Sequence, residues 1–109
     1  MTIPLRLGKG QLPTTLAPID TATAPAGTIR VIKSITITNT GLAPATVSLA
    51  AAEILILSDQ PLGENGSGEN TITIPNLDQI IYPGERISGK ASEDGVYFII
   101  SGMDLELEE

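Results

Sequence analysis

The sequence predicts an all-β fold, an antiparallel β-sandwich or jelly roll of about seven or eight strands. Three observations lead there. Short runs of Ile, Val and Thr recur along the chain, and these residues fit a pleated, half-buried surface. Turn signals built from Pro, Gly, Asn and Asp separate the runs at intervals of roughly 8–12 residues. In the clearest run, Pro25 to Thr40, Ile29, Val31, Ile35 and Ile37 fall on one face and Thr36, Thr38 and Thr40 on the other. That is the period of two of a strand with one dry side. With 109 residues and no Cys, the chain is one domain large enough to bury a core without disulfides.

Residues 1–24 read as an extended N-terminal arm and residues 25–109 as the sandwich domain. Pro4, Pro13 and Pro18, with Gly8 and Gly10 between them, exclude helix from the arm. Its apolar side chains, Leu5, Leu7, Leu12, Leu16 and Ile19, follow no helical spacing and need a surface to lie on. That surface is either a sheet edge, its own or a neighbour's, or this same domain, with the segment as a plain first strand. The Pro25-Ala26-Gly27 turn then opens the strand described above. Lys33 interrupts its apolar row, either where the strand leaves the core or at a bulge near Ile32-Lys33 that shifts the register.

Gly41 to Pro44 is a turn, and Ala45, Val47 and Leu49 alternate with Thr46 and Ser48 as a second strand paired to the first. Ile54 to Leu57 is apolar without alternation, which predicts a strand buried on both sides or one that changes sheet. Asp59 to Asn70, DQPLGENGSGEN, is a polar, Gly-rich exposed loop or hairpin tip. Its oxygen-bearing side chains, Asp59, Glu64, Asn65, Glu69 and Asn70, match no calcium-loop spacing. Ile72 and Ile74 then alternate with Thr71 and Thr73, and Pro75 marks an edge or corner. Glu85–Ala91 and Val96–Leu107 flank Ser92-Glu93-Asp94-Gly95, and Asp-Gly between strands predicts a tight hairpin. In the last strand Val96, Phe98 and Ile100 share one face, and Tyr97, Ile99, Met103, Leu105 and Leu107 the other. Apolar residues on both faces predict a central strand, or a face covered by a partner subunit. The acidic tail from Asp104 to Glu109 either extends that strand or frays in solvent.

Charge and composition exclude several functions. The chain holds 13 acidic and 6 basic side chains and no His. No Ser-His-Asp, Cys-His or His-bearing zinc site can be assembled, and no phosphate-cradling glycine loop is present. The acids read as solvated surface, Tyr82, Tyr97 and Phe98 as core or interface filler, and no enzyme, metal or cofactor is expected. A net charge of −7 suits neither nucleic acid, which needs Lys and Arg clusters, nor low solubility. The apolar run from Val47 to Leu57 is too short to span a bilayer, and Met1-Thr2-Ile3-Pro4 does not open a signal peptide. Charge is also segregated. Residues 1–40 hold four basic side chains against Asp20 alone, a net of +3, and residues 41–109 hold Arg86 and Lys90 against twelve acids, a net of −10. Such halves attract one another between copies, or are ordinary surface charge.

One set of motifs carries a resemblance: APAGTIRVIKSITITNTG, then ATVSL, then IPNLDQIIYPGERISGKASEDGVYFIISGMDL. Over residues 24–104 the chain resembles small virion proteins of tailed bacteriophages. In these a strand opens at a Pro-Ala-Gly turn and runs into an Asn-Thr end. A Pro-Gly-Glu turn, an Ala-Ser strand and a closing Gly-Val…Ser-Gly strand follow. The resemblance implies a non-enzymatic structural role in the virion, assembled in the host cytoplasm, frequently as a homotrimer. The expected function is that of a capsid cement or decoration protein that binds the major capsid protein. Contacts would come from the arm residues Leu5, Arg6, Leu7, Lys9, Leu12 and Leu16, with Arg6 and Lys9 facing acidic groups on the shell. Deleting residues 1–20 would then leave a folded domain unable to bind. The alternative is a tail, baseplate or fibre module that binds a host surface glycan or protein through Asp59, Glu64, Asn65, Tyr82 and Tyr97.

Overall fold

A computed structural model describes residues 4–20, 24, 26–52, 54–75, 77 and 79–106, with Pro4 and Leu5 described by backbone alone. These residues contain no helix and form nine strands: β1 (Pro4–Gln11), β2 (Ala17–Pro18), β3 (Thr28–Asn39), β4 (Ala45–Ala51), β5 (Ile54–Leu62), β6 (Thr71–Ile74), β7 (Gln79–Ile81), β8 (Ile87–Ala91) and β9 (Val96–Glu106). Two antiparallel sheets result. Sheet A runs β1-β9-β3-β6, with β7 also on β3, and sheet B runs β2-β8-β4-β5. β6 and β7 pair with the two ends of β3, so they act as one strand interrupted from Pro75. Counted that way, the first strand pairs with the last and the second with the next-to-last, and the chain winds alternately through both sheets. This nested order is a jelly roll.

Two expected pairings are corrected by this winding. β3 and β4 are not partners, and β8 and β9 do not form a hairpin, since each pair is split between the sheets. The Asp94-Gly95 signal is real, with Gly95 at a φ of 87°, but it makes a corner from one sheet to the other. The corner is held because Thr40 N and Thr40 Oγ1 both donate to the Gly95 carbonyl, at 2.9 and 2.7 Å. A turn residue reports local curvature and not which strand the chain meets next. β5 is a further correction: it is the edge of sheet B, and Ile54 and Leu55 are exposed rather than buried. The polar loop is also shorter than expected, because residues 59–62 belong to β5.

The core lies between the sheets. Ile32, Ile35 and Ile37 of β3 and Val96, Phe98 and Ile100 of β9 face Val47, Leu49 and Ile87 of sheet B. The bulge expected at Ile32-Lys33 is present, where the β3–β9 register shifts between Ile32 and Ser34. A second shift falls between Arg6 and Gly8 on β1, so the neighbours of β9 bulge on either side of Ser101, β3 between Ser101 and Gly102 and β1 between Ile100 and Ser101. Gly102 has no room for a side chain. A Cβ there would collide with the Val31 carbonyl oxygen and lie 2.7 Å from Leu7 Cδ1.

The expected boundary at residue 24 is also corrected. β1 pairs with β9 from Pro4 to Gln11, and the chain then crosses to sheet B, where Ala17 and Pro18 pair with β8. Leu7 and Leu12 are 2% and 0% exposed and belong to the core, with Ile19 beside them. They are therefore not free to grip a neighbour. The segment is the first strand of the jelly roll, and its partner β9 is simply far away in sequence.

Buried polar groups are placed where strands end. Asn39 is fully buried at the end of β3. Its Nδ2 donates to the carbonyls of Ala43 and Gly63 at 2.9 and 3.0 Å, and its Oδ1 accepts from Gly41 N at 2.9 Å. One side chain thus ties two loops together, the β3–β4 connection and the β5–β6 connection. Asn39→Ala would remove three hydrogen bonds from part-buried backbone groups, which costs about 2 kcal/mol. Chemical denaturation should show that loss, with Thr38→Ala on the outer surface as the near-silent control. At the opposite end of the barrel Arg30 forms a bidentate pair with Asp104, at 2.9 and 3.2 Å. Arg86 clasps Asp20 through Oδ1 at 2.6 Å and the carbonyl at 2.7 Å. The Arg30–Asp104 pair joins the basic front of the sequence to its acidic back, so part of the charge segregation is neutralised within one copy.

Candidate functional site

The outward face of sheet A is the candidate site. Strand alternation and the two bulges fix its composition. Three cross-strand rows lie side by side: Gln11–Tyr97–Thr38–Thr71, Lys9–Ile99–Thr36–Thr73, and Arg6–Ser101–Ser34. The first two continue across β6 through hydroxyl contacts, Thr38–Thr71 at 3.2 Å and Thr36–Thr73 at 3.3 Å. Beyond Ser101 the register places Met103 beside Val31, and Val31 beside Ile80. Tyr97 and Ile99 are each 46% exposed and Ile80 is 43% exposed. The face is thus an apolar column on β9, with hydroxyls on one side and two cations on the other. Among the described strand residues that point outward from this sheet, none is acidic, although the chain has 13 acids against 6 bases.

Of the residues expected to make contacts, this face gathers Arg6, Lys9 and Tyr97, the first two exposed on β1. The side chain of Leu5 lies outside the described residues. Leu16 is about half exposed but sits by β2 on sheet B. The expected aromatic cluster is not assembled. Phe98 is in the core, and Tyr97 and Tyr82 are exposed near opposite ends of the barrel. Nor are the loop residues a group. Asp59 lies on β5, where its amide donates to Ser48 Oγ at 2.9 Å. Glu64 and Asn65 stand in the connection from β5 to β6, with Asn65 N bonded to the Gly41 carbonyl. Ile99 was missing from the expected contacts. Its alternation with the core residues Phe98 and Ile100 was the signal that could have found it.

Two concavities lie on sheet B. The larger, about 490 Å³, is lined by Leu16, Pro18, Ala50, Ser88, Glu85 and Arg86 among others. Glu85 accepts from Tyr82 N at 2.9 Å and has no second carboxylate with it on the lining. A smaller polar one, about 160 Å³, is lined by Thr14, Thr46, Ser48, Asp59, Lys90 and Ser92. No group of three or more His, Cys, Asp or Glu side chains is placed to hold a metal among the described residues. No described helix is long and apolar enough to cross a membrane.

No protein-family profile matches this chain, and no curated protein matches it in sequence. Among solved structures, the nucleoplasmin-like N-terminal domain of Drosophila FKBP39 aligns with 100% of this chain and 91% of that one, at 15% identity and a TM-score of 0.45.

Proposed function

We propose that this chain is a non-enzymatic structural component of a bacteriophage particle, a cement or decoration protein that lies on the capsid through the outward face of sheet A. The observation that supports the reading is that face itself. Burying Tyr97 and Ile99 against a shell supplies the apolar part of binding. Arg6 and Lys9 at the rim select an acidic surface and speed encounter. The virion resemblance of residues 24–104 points the same way. The jelly roll does not choose between roles, because viral capsid and lectin domains both use it.

The double variant Tyr97→Ser, Ile99→Ser tests the reading. Burial of one large apolar side chain contributes about 1.5–3 kcal/mol, and each 1.4 kcal/mol is about tenfold in affinity. The variant should therefore bind particles stripped of the protein at least about tenfold more weakly. Its thermal stability should stay close to that of the parent, since both side chains are half exposed. Undiminished binding would remove the face from consideration. The second reading, a tail, baseplate or fibre module that recognises a host glycan or protein, has the polar cavity at Asp59 in its favour. Loss of host adsorption on Asp59→Asn would support it.

A further inference from the structure

We propose that Asn65 is a site of spontaneous deamidation, converted with its successor Gly66 through a cyclic imide to aspartate and isoaspartate. Asparagine is a chemically labile residue, and here the reacting groups are neighbours in the chain. The Gly66 amide nitrogen bonds to Asn65 Cγ, the Cγ–Nδ2 bond breaks, and the proton of the attacking nitrogen leaves with the ammonia. Water then opens the imide at either of its carbonyls. One opening gives an ordinary backbone with an aspartate side chain. The other gives isoaspartate, whose backbone runs through the side chain and is longer by a methylene. Nothing is oxidised or reduced, and water is the only co-reactant.

The structure meets the demands of this reaction at residues 65 and 66. Both residues are exposed, so water reaches them. Gly66 carries no side chain, and a Cβ there would meet nothing within 4 Å, so the approach of its nitrogen is open. No described residue accepts a hydrogen bond from the Gly66 amide, although its neighbours on both sides are bonded. Asn65 N donates to the Gly41 carbonyl at 2.9 Å, and Ser67 N to the Glu64 carbonyl at 3.0 Å. Gly66 has a φ of 93°, and glycine moves between this and other backbone regions at little steric cost. The Asn65–Gly66 peptide can therefore swing toward the side chain.

The other described asparagines do not meet these demands. Asn39 is buried, and both ends of its side-chain amide are bonded. The Nδ2 of Asn70 donates to the Asn39 carbonyl at 3.1 Å. Each is followed by Thr, whose branched, stiff side chain crowds the attacking nitrogen. Asn76 lies outside the described residues.

The consequence is local. Gly63 N donates to the Glu69 carbonyl at 3.0 Å and closes the base of the loop, and Asn39 Nδ2 holds the Gly63 carbonyl. Isoaspartate lengthens the chain inside the Glu64–Ser67 turn, so that hydrogen bond is the one lost. Either product adds a carboxylate to the loop that already carries Glu64 and Glu69. The inference uses neither the proposed docking face nor a host ligand.

The test is to incubate the full folded chain at mildly alkaline pH and follow it by isoelectric focusing, peptide mapping and labelling with an isoaspartate methyltransferase. An acidic species should accumulate and map to Asn65 as both aspartate and isoaspartate, faster as pH rises, because the attacking nitrogen must lose its proton. Asn39 and Asn70 should remain amides. Asn65→Gln, whose longer side chain closes the ring far more slowly, should lose the acidic species. Aged and fresh protein should melt together. An unchanged parent, an equal yield from Asn65→Gln, or conversion first at another asparagine would each overturn the assignment. Aged protein that melts well below fresh protein would overturn the confinement of the change to the loop.

Discussion

A chain lacking residues 1–20 is expected not to fold. Its circular dichroism should show no cooperative thermal transition, and its amide spectrum should collapse to random-coil dispersion. The truncation removes Leu7, Leu12 and Ile19 from the core. At about 1.5–3 kcal/mol for each buried side chain, that alone amounts to roughly 5–9 kcal/mol. The whole stability of an ordinary domain is about 5–15 kcal/mol. The same cut strips β9 of one of its two partners and β8 of β2, leaving core strands open to water. It also takes Asp20 from Arg86. A detachable binding arm would behave oppositely, with an unchanged melt and lost binding. A truncated protein that melts cooperatively near the parental temperature would therefore show that β1 is not part of the folding unit.

Gly102→Ala is expected to be the most damaging methyl addition in the chain. The new Cβ would meet the Val31 carbonyl oxygen, which is backbone and held by the β3–β9 ladder. It would also press on Leu7 Cδ1, a buried core side chain. The β3 bulge adjoins this position and Leu5 and Ile32 pair with it on the two sides, so β9 is held between two strands there. Overpacking of this kind costs about 3 kcal/mol or more when backbone must move. For a domain of this size the melting temperature should fall by about 10 °C or more. Ser101→Ala, one residue away on the outward face, is the control and should change stability by about 0.5 kcal/mol or less. Equal melting temperatures for the two variants would mean that β9 does not run as closely against β3 as described.

These two positions also show what the sequence made legible. The strands were readable because alternation is local: Thr36 and Thr38 outward, Ile35 and Ile37 inward, and the break in phase at Lys33 are all properties of neighbouring residues. Half of the proposed docking face was visible for the same reason, since Tyr97 and Ile99 alternate with Phe98 and Ile100. What could not be read was pairing. β1 meets β9 across most of the chain, and nothing near Leu7 or Leu12 records that partner. Their Pro- and Gly-punctuated setting looked like an arm because β1 ends early and the chain must turn sharply to reach sheet B. The Asp94-Gly95 turn misled in the same way, since a corner and a hairpin demand the same positive φ. Ile54 and Leu55 looked buried because they are apolar. Only the strand order places them at an open edge.

The central claim is that this chain is a shell-bound part of a virus particle. Quantitative mass spectrometry of purified particles, with copy number referred to the major shell protein, tests it most directly. A copy number comparable to that of the shell protein is the expected result. Absence of the chain from purified particles would contradict it.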